Sequence, residues 1–158
     1  MAARGPVFQQ SVKAPVMHMP RKRYELIDHT ADLGLRIFGR DLPDLFEAAA
    51  FAVFDRITDI GALQGMERQV LEISGADWPD LMVNWLRELL YLWNGERRLI
   101  KQARIVTIQE YHLSAEIRYD PFDPERHRIE EEIKAVTYHQ IAVEPAGSGW
   151  EARIIFDV

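Results

Sequence analysis

The chain has 158 residues, 47% of them apolar, with 25 acidic and 19 basic side chains and a formal net charge of −6. That length supports one domain with a substantial core, and the acidic balance opposes binding to a nucleic-acid phosphate backbone. The absence of cysteine excludes disulfides, thiolate zinc sites and cysteine nucleophiles, and no run of about 18 apolar residues marks a membrane-spanning helix.

Residues 1–22 read as a flexible tail. They carry Gly5, Pro6, Pro15 and Pro20 without an apolar period, and they lead into the basic run Arg21, Lys22, Arg23. No continuous apolar stretch of export-signal type is present, so a cytoplasmic location is expected. The folded domain is expected over residues 23–158.

The stretch from Tyr24 to Gly39 places a polar cluster between two apolar segments. Leu33, Leu35 and Ile37 alternate as in a half-buried strand. Asp28, His29, Thr30 and Asp32 lie just before it and can gather oxygen and imidazole groups in a small space. The same residues also suit a turn at Asp28 and Thr30, with Asp32 accepting from backbone amides.

Asp41 is a good helix N-cap, Pro43 fits the first turn and Asp44 sits favourably at the positive end of the helix dipole. The helix is expected to run to about Ile57, with Leu45, Ala49, Ala52, Val53 and Ile57 facing inward and Phe46, Ala50 and Phe54 widening that stripe. Val70, Leu71 and Ile73 suggest a strand ending at Gly75. A second helix opens at Asp77-Trp78-Pro79-Asp80 and reaches about Asn94, with Leu81, Met82, Trp85, Leu86, Leu89, Leu90 and Trp93 as its core side. Both openings read I-x-G-x-D-x-P-D-L, from Ile37 to Leu45 and from Ile73 to Leu81, an offset of 36 residues. The pattern suggests one strand–turn–helix unit used twice, although shared capping chemistry alone can produce it.

The remainder reads mostly as strand. Segments are expected over Arg104–Gln109 and Leu113–Tyr119, joined at Tyr111-His112. A proline-marked loop follows over Asp120–Pro124. A strand from Glu132 to Val143 is expected next, then a turn over Pro145–Gly149 and a last strand over Trp150–Val158. Strands with two buried helices in irregular order indicate an α+β domain.

No P-loop, GxGxxG, GxSxG, HExxH or EF-hand spacing occurs. Oxygen groups remain: Asp28, Asp32, and Asp157 beside the terminal carboxylate of Val158. Such donors suit hard cations, and they meet if the last strand pairs near the first. Lys134 reads as a strand lysine, facing solvent or pairing with a carboxylate or phosphate. His29, His127 and His139 have no partner fixed by spacing.

Three separated stretches resemble the archease family: Tyr24-Glu25-Leu26-Ile27-Asp28-His29-Thr30-Ala31-Asp32 with Gly34 and Gly39, then Glu132-Ile133-Lys134-Ala135-Val136-Thr137-Tyr138-His139, then Ile155-Phe156-Asp157-Val158. The resemblance implies a small α+β fold with a duplicated strand–helix–strand–strand element, two buried helices and a mixed or antiparallel sheet. It implies a non-enzymatic activator of the GTP-dependent RNA-splicing ligase, promoting ligase guanylylation and multiple turnover in tRNA splicing and RNA repair. It also implies a divalent metal, calcium with magnesium or manganese as alternatives, held by Asp32, Asp157 and Val158. Lys134, Asp32, Asp157 and His29 are implied in activation of the partner. Two departures are visible: Glu130-Glu131 replaces the family's Gly-Thr before Glu132-Ile133-Lys134, and Val158 replaces a final Ile. The rival readings are a metal-dependent hydrolase using Asp32, Asp157 and His29, and a chaperone-like solubility factor for RNA-modifying enzymes.

Overall fold

A computed structural model describes residues 23–27 and 32–158. The tail expected over residues 1–22, and Asp28, His29 and Thr30 of the polar cluster, lie outside the described residues. Strands β1 (Tyr24–Ile27) and β2 (Leu33–Gly39) pair antiparallel. The expected alternation holds in β2, where Leu33, Leu35 and Ile37 are all buried.

Helix α1 (Leu42–Ile57) begins where its capping residues require. The Asp41 carboxylate accepts from the Asp44 backbone N–H at 2.9 Å, and Asp44 reaches back to accept from Arg40 N–H at 2.8 Å. One orphan donor of the first turn, Asp44 N–H, and the N–H of Arg40 just before the cap are thereby satisfied. After β3 (Glu67–Ser74), helix α2 (Trp78–Asn94) opens the same way. Asp77 accepts from Asp80 N–H and Asp80 accepts from Ala76 N–H, both at 2.8 Å. Gly39 and Gly75 precede these caps, and a Cβ on either would stand 2.5 Å from a backbone nitrogen, of Leu45 and Leu81 respectively. The shared sequence pattern is therefore a shared three-dimensional unit, with glycine imposed by close approach of strand to helix.

Strands β4 (Arg98–Gln109) and β5 (His112–Pro121) form a hairpin. Its two-residue turn places Glu110 and Tyr111 at φ 51° and 62°, the left-handed pair that matches strand twist in tight hairpins. Strands β6 (Ala135–Val136), β7 (Ala142–Ala146) and β8 (Gly149–Asp157) complete the fold. One sheet runs β1-β2-β8-β6, with β7 also paired to β8, and the other runs β3-β5-β4; all pairings are antiparallel.

The duplication is nested. In β3-α2-β4-β5, the last strand inserts between the first two, giving the order β3-β5-β4. The elements β2, α1, β7 and β8 repeat that plan with the order β2-β8-β7. One copy is inserted between the helix and the hairpin of the other. Each helix touches both sheets, which explains why the apolar faces are so wide. Trp85 is fully buried, and its indole N–H donates to the Phe46 carbonyl at 2.9 Å. The two helices are thus joined through the core's largest side chain without leaving its polar atom unpaired.

Five expectations are corrected. The strand from Glu132 to Val143 is two short strands, β6 and β7, and Lys134 lies just outside β6. The break is built by Thr137, whose hydroxyl donates to Ile155 O at 2.9 Å and accepts from His139 N–H at 3.2 Å. Gln140 then adopts φ 54°, and Ile141 N–H closes a turn onto Tyr138 O. Asp120 and Pro121 end β5 rather than opening a loop, and the Tyr111-His112 connection is shifted to Glu110-Tyr111. In the turn expected over Pro145–Gly149, only Gly147 and Ser148 leave the ladder. The strand expected from Arg104 begins at Arg98.

Candidate functional site

The antiparallel register of β2 on β8 pairs Leu33 with Phe156. Continued by one residue, that register would set Asp32, in the bend before β2, opposite Asp157. Directly opposed residues share a sheet face, and both acids alternate with buried inward residues, Leu33 and Phe156. Both therefore belong to the face turned away from the core. The register of β6 on β8 pairs Ala135 with Asp157, and the Lys134 N–H donates to Asp157 O at 2.8 Å. Three stretches far apart in sequence thus meet at one end of one sheet, beside the exposed terminal residue Val158.

The candidate donors are carboxylate oxygens, and among the described residues no cluster of three His, Asp or Glu adds an imidazole to them. That set suits a hard cation such as Ca²⁺. It comprises two side chains and the chain terminus. Among the described residues, no three His, Asp or Glu side chains gather at a single point. His29 lies outside the described residues, and His139 occupies the turn after β6, with its N–H on Thr137.

Lys134 is exposed and lines a groove of about 410 Å³ between β6 and α2, with Arg87, Leu90, Tyr91, Asn94, Gly95, Ala135 and Val136 as the other walls. The segment leading into it is firmly tied. Asn94 Nδ2 donates to Ile133 O at 3.1 Å, and Ile133 is fully buried. Thr58 Oγ1 donates to Arg128 O at 2.7 Å, and Glu131 pairs with Arg56 at 2.8 Å. Glu131, part of the Glu130-Glu131 departure from the family pattern, is held in this ion pair with Arg56.

Beyond β6, the Tyr138 hydroxyl donates to Asp80 at 2.7 Å, and Arg87 lies 5.7 Å from the Tyr138 ring centroid. The Tyr138 hydroxyl, followed by the Ala76 N–H, holds the Asp80 carboxyl below its ordinary range. The same carboxylate therefore caps α2 and fixes the turn after β6.

A buried pair went unread in the sequence. Asp120 is completely buried and accepts from Gln64 N–H at 2.8 Å and Met66 N–H at 2.9 Å. His127, also buried, accepts from Asp123 N–H through Nδ1 at 3.0 Å. Its ring proton must then sit on Nε2, which stands 3.6 Å from Asp120. Phe122 stacks on His127, with ring centroids 6.1 Å apart. Sequence placed Asp120 at the start of the loop before Pro124, and no spacing linked it to His127.

Fold and site define a class: a small α+β domain of two antiparallel sheets and two core helices, with paired acids and the chain terminus at one sheet end. The Archease protein family matches residues 24–158. Archeases of Methanosarcina acetivorans and Pyrococcus abyssi are each 36% identical over 141 residues, covering 87% of this chain and 97% and 99% of theirs. The solution structure of Methanobacterium thermoautotrophicum Protein 1598 is 32% identical, with a TM-score of 0.75, covering 87% of this chain and all of that one. A Thermotoga maritima structure described as "an archease, possible chaperone" shares the fold, with a TM-score of 0.58 at 22% identity over 89% of this chain and 98% of that one. The chain belongs to the archease family. None of its described helices is long and apolar enough to cross a membrane.

Proposed function

We propose that this chain is an accessory protein of the cytoplasm that activates a GTP-dependent RNA-splicing ligase, promoting its guanylylation and multiple turnover. The observation that carries this reading is the register of β2, β8 and β6, which delivers Asp32, Asp157, Val158 and Lys134 to one exposed end of the sheet. Asp32, Asp157 and the terminal carboxylate would hold a divalent cation, calcium foremost and magnesium or manganese as alternatives. Bound there, the cation supplies positive charge for phosphate oxygens at the interface with the ligase. The protein's own residues do the rest. The β8 ladder fixes the acids, Asn94 and Ile133 fix the backbone that carries Lys134, and the ammonium group reaches an acid or phosphate of the partner.

The net charge of −6 favours a protein partner over direct RNA contact. The hydrolase reading with His29 finds no support among relatives that are archeases. The test is ligase guanylylation and RNA sealing under limiting ligase, with and without this protein. Stimulation that disappears in Asp32→Ala, with the fold retained, is expected. An unstimulated ligase would overturn the reading, and prevention of ligase aggregation without stimulation would favour a chaperone-like role.

A further inference from the structure

We propose that the free edge of β3 is a pairing surface for a second copy of this chain, joining two β3-β5-β4 sheets into one continuous antiparallel sheet about a two-fold axis at Val70. The proposal is independent of the ligase reading, because β3 belongs to the other sheet from β2, β8 and β6.

An unpaired strand edge offers a row of backbone donors and acceptors to another strand, and proteins blunt such edges with short strands, prolines, bulges or covering groups. Most edges here are blunted. Strand β1 has four residues and β6 has two, and β7 carries Pro145. Strand β4 is interrupted by register shifts between Ile100 and Gln102 and between Ile105 and Thr107, and Glu47 takes its Ile105 N–H at 2.8 Å. Strand β3 has none of these devices. Its eight residues pair with β5 in unbroken register, and no strand lies on its other side among the described residues.

Charge is the remaining protection, and its order along β3 does not repel a second copy. Arg68, Val70 and Glu72 form the outward row, and all three are exposed. Opposed residues of an antiparallel pair share a face, so a two-fold axis must pass where one residue meets itself. Centring on Val70 sets Arg68 against Glu72 on both sides and covers Val70, which is 60% exposed, with its own copy. Centring on Gln69 or Leu71 would set Val70 against Arg68 or Glu72 and leave the charges unmatched. Within one chain these charges are incompletely met. Arg68 Nε stands 3.2 Å from Glu116, but Arg104 reaches the same carboxylate at 3.6 Å. One acid thus serves two guanidinium groups, and Arg118, opposite Arg68 on β5, adds to the positive end. At the other end Glu72 meets the His112 ring at 2.7 Å. A face positive at one end and negative at the other is self-complementary under a two-fold axis.

The test is sedimentation equilibrium of the full chain from about 1 µM to about 1 mM, for the wild type, Arg68→Glu, Glu72→Arg and the double variant. Both side chains are exposed, so thermal melts should match the wild type. The wild type should dimerise as concentration rises, with slowed amide exchange in β3. Each single variant opposes like charges on both sides of the axis and should raise the dimer dissociation constant about tenfold or more. The double variant opposes unlike charges again, in exchanged positions, and should return the constant to within about threefold of wild type. An equimolar mixture of the two single variants should likewise associate more tightly than either alone. A wild type that stays monomeric throughout, a dimer that both single variants leave unchanged, or single variants weakened without recovery in the double variant would overturn the proposal.

Discussion

Asp120→Asn removes one oxygen from a buried carboxylate that uses both. Oδ2 accepts from Gln64 N–H at 2.8 Å and Oδ1 from Met66 N–H at 2.9 Å. Whichever way the new amide is turned, its NH₂ group faces one of those donors. The variant loses one charge-assisted hydrogen bond and leaves a buried N–H unpaired, together about 3 kcal/mol. For a domain of this size that lowers Tm by about 6–12 °C. Burial pushes the Asp120 carboxyl up, but the N–H groups of Gln64, Met66 and Gly65, with His127 beside it, outweigh burial and hold it below the usual carboxylate range. A group whose pKa is depressed by folding stabilises fully above its unfolded pKa, about 3.9, and loses that contribution as pH falls through the folded value. The gap between wild type and variant should therefore be full near neutrality and shrink in acid. Thermal melts followed by circular dichroism over a pH series measure both. A variant Tm within about 2 °C of wild type at neutral pH, or a gap unchanged in strong acid, would refute the assignment.

Lys134→Ala should keep the fold and Ca²⁺ binding yet lose ligase stimulation, because the side chain is exposed and only its backbone is tied into the ladder; guanylylation and calorimetry separate the two. Extending the chain past Val158 turns the terminal carboxylate into a neutral carbonyl, so Ca²⁺ affinity and ligase activation should both fall relative to an N-terminally tagged protein, as read by calorimetric titration. Gly39→Ala and Gly75→Ala should each destabilise by about 2–3 kcal/mol in urea melts, since both place a methyl 2.5 Å from backbone at equivalent points. A large difference between them would deny the equivalence of the two units.

Local chemistry was legible in the sequence. Both helices start at Asp41 and Asp77 as read, because a capping carboxylate, a proline in the first turn and a helical apolar period all act within a few residues. The 36-residue pattern pointed to the duplicated unit for the same reason, since strand, glycine and cap form one continuous stretch. What lay between sequence-distant residues was not legible. The alternation from Glu132 to Val143 reads as one strand, and only the Thr137–Ile155 and Tyr138–Asp80 bonds show why the chain turns there. Asp120 looked like a loop acid because nothing near it in sequence reveals the Gln64 and Met66 donors. The nesting of one unit inside the other depends on which strand edge each hairpin meets, and hydrophobic pattern does not record that choice. Sequence alone offered Asp28, Asp32, Asp157, the Val158 carboxylate and Lys134 as candidates, and the family resemblance assigned roles to Asp32, Lys134, Asp157 and Val158. Their placement at one sheet end was decided by the registers Leu33–Phe156 and Ala135–Asp157, because antiparallel pairing is fixed by packing across the whole sheet and not by any one of its strands.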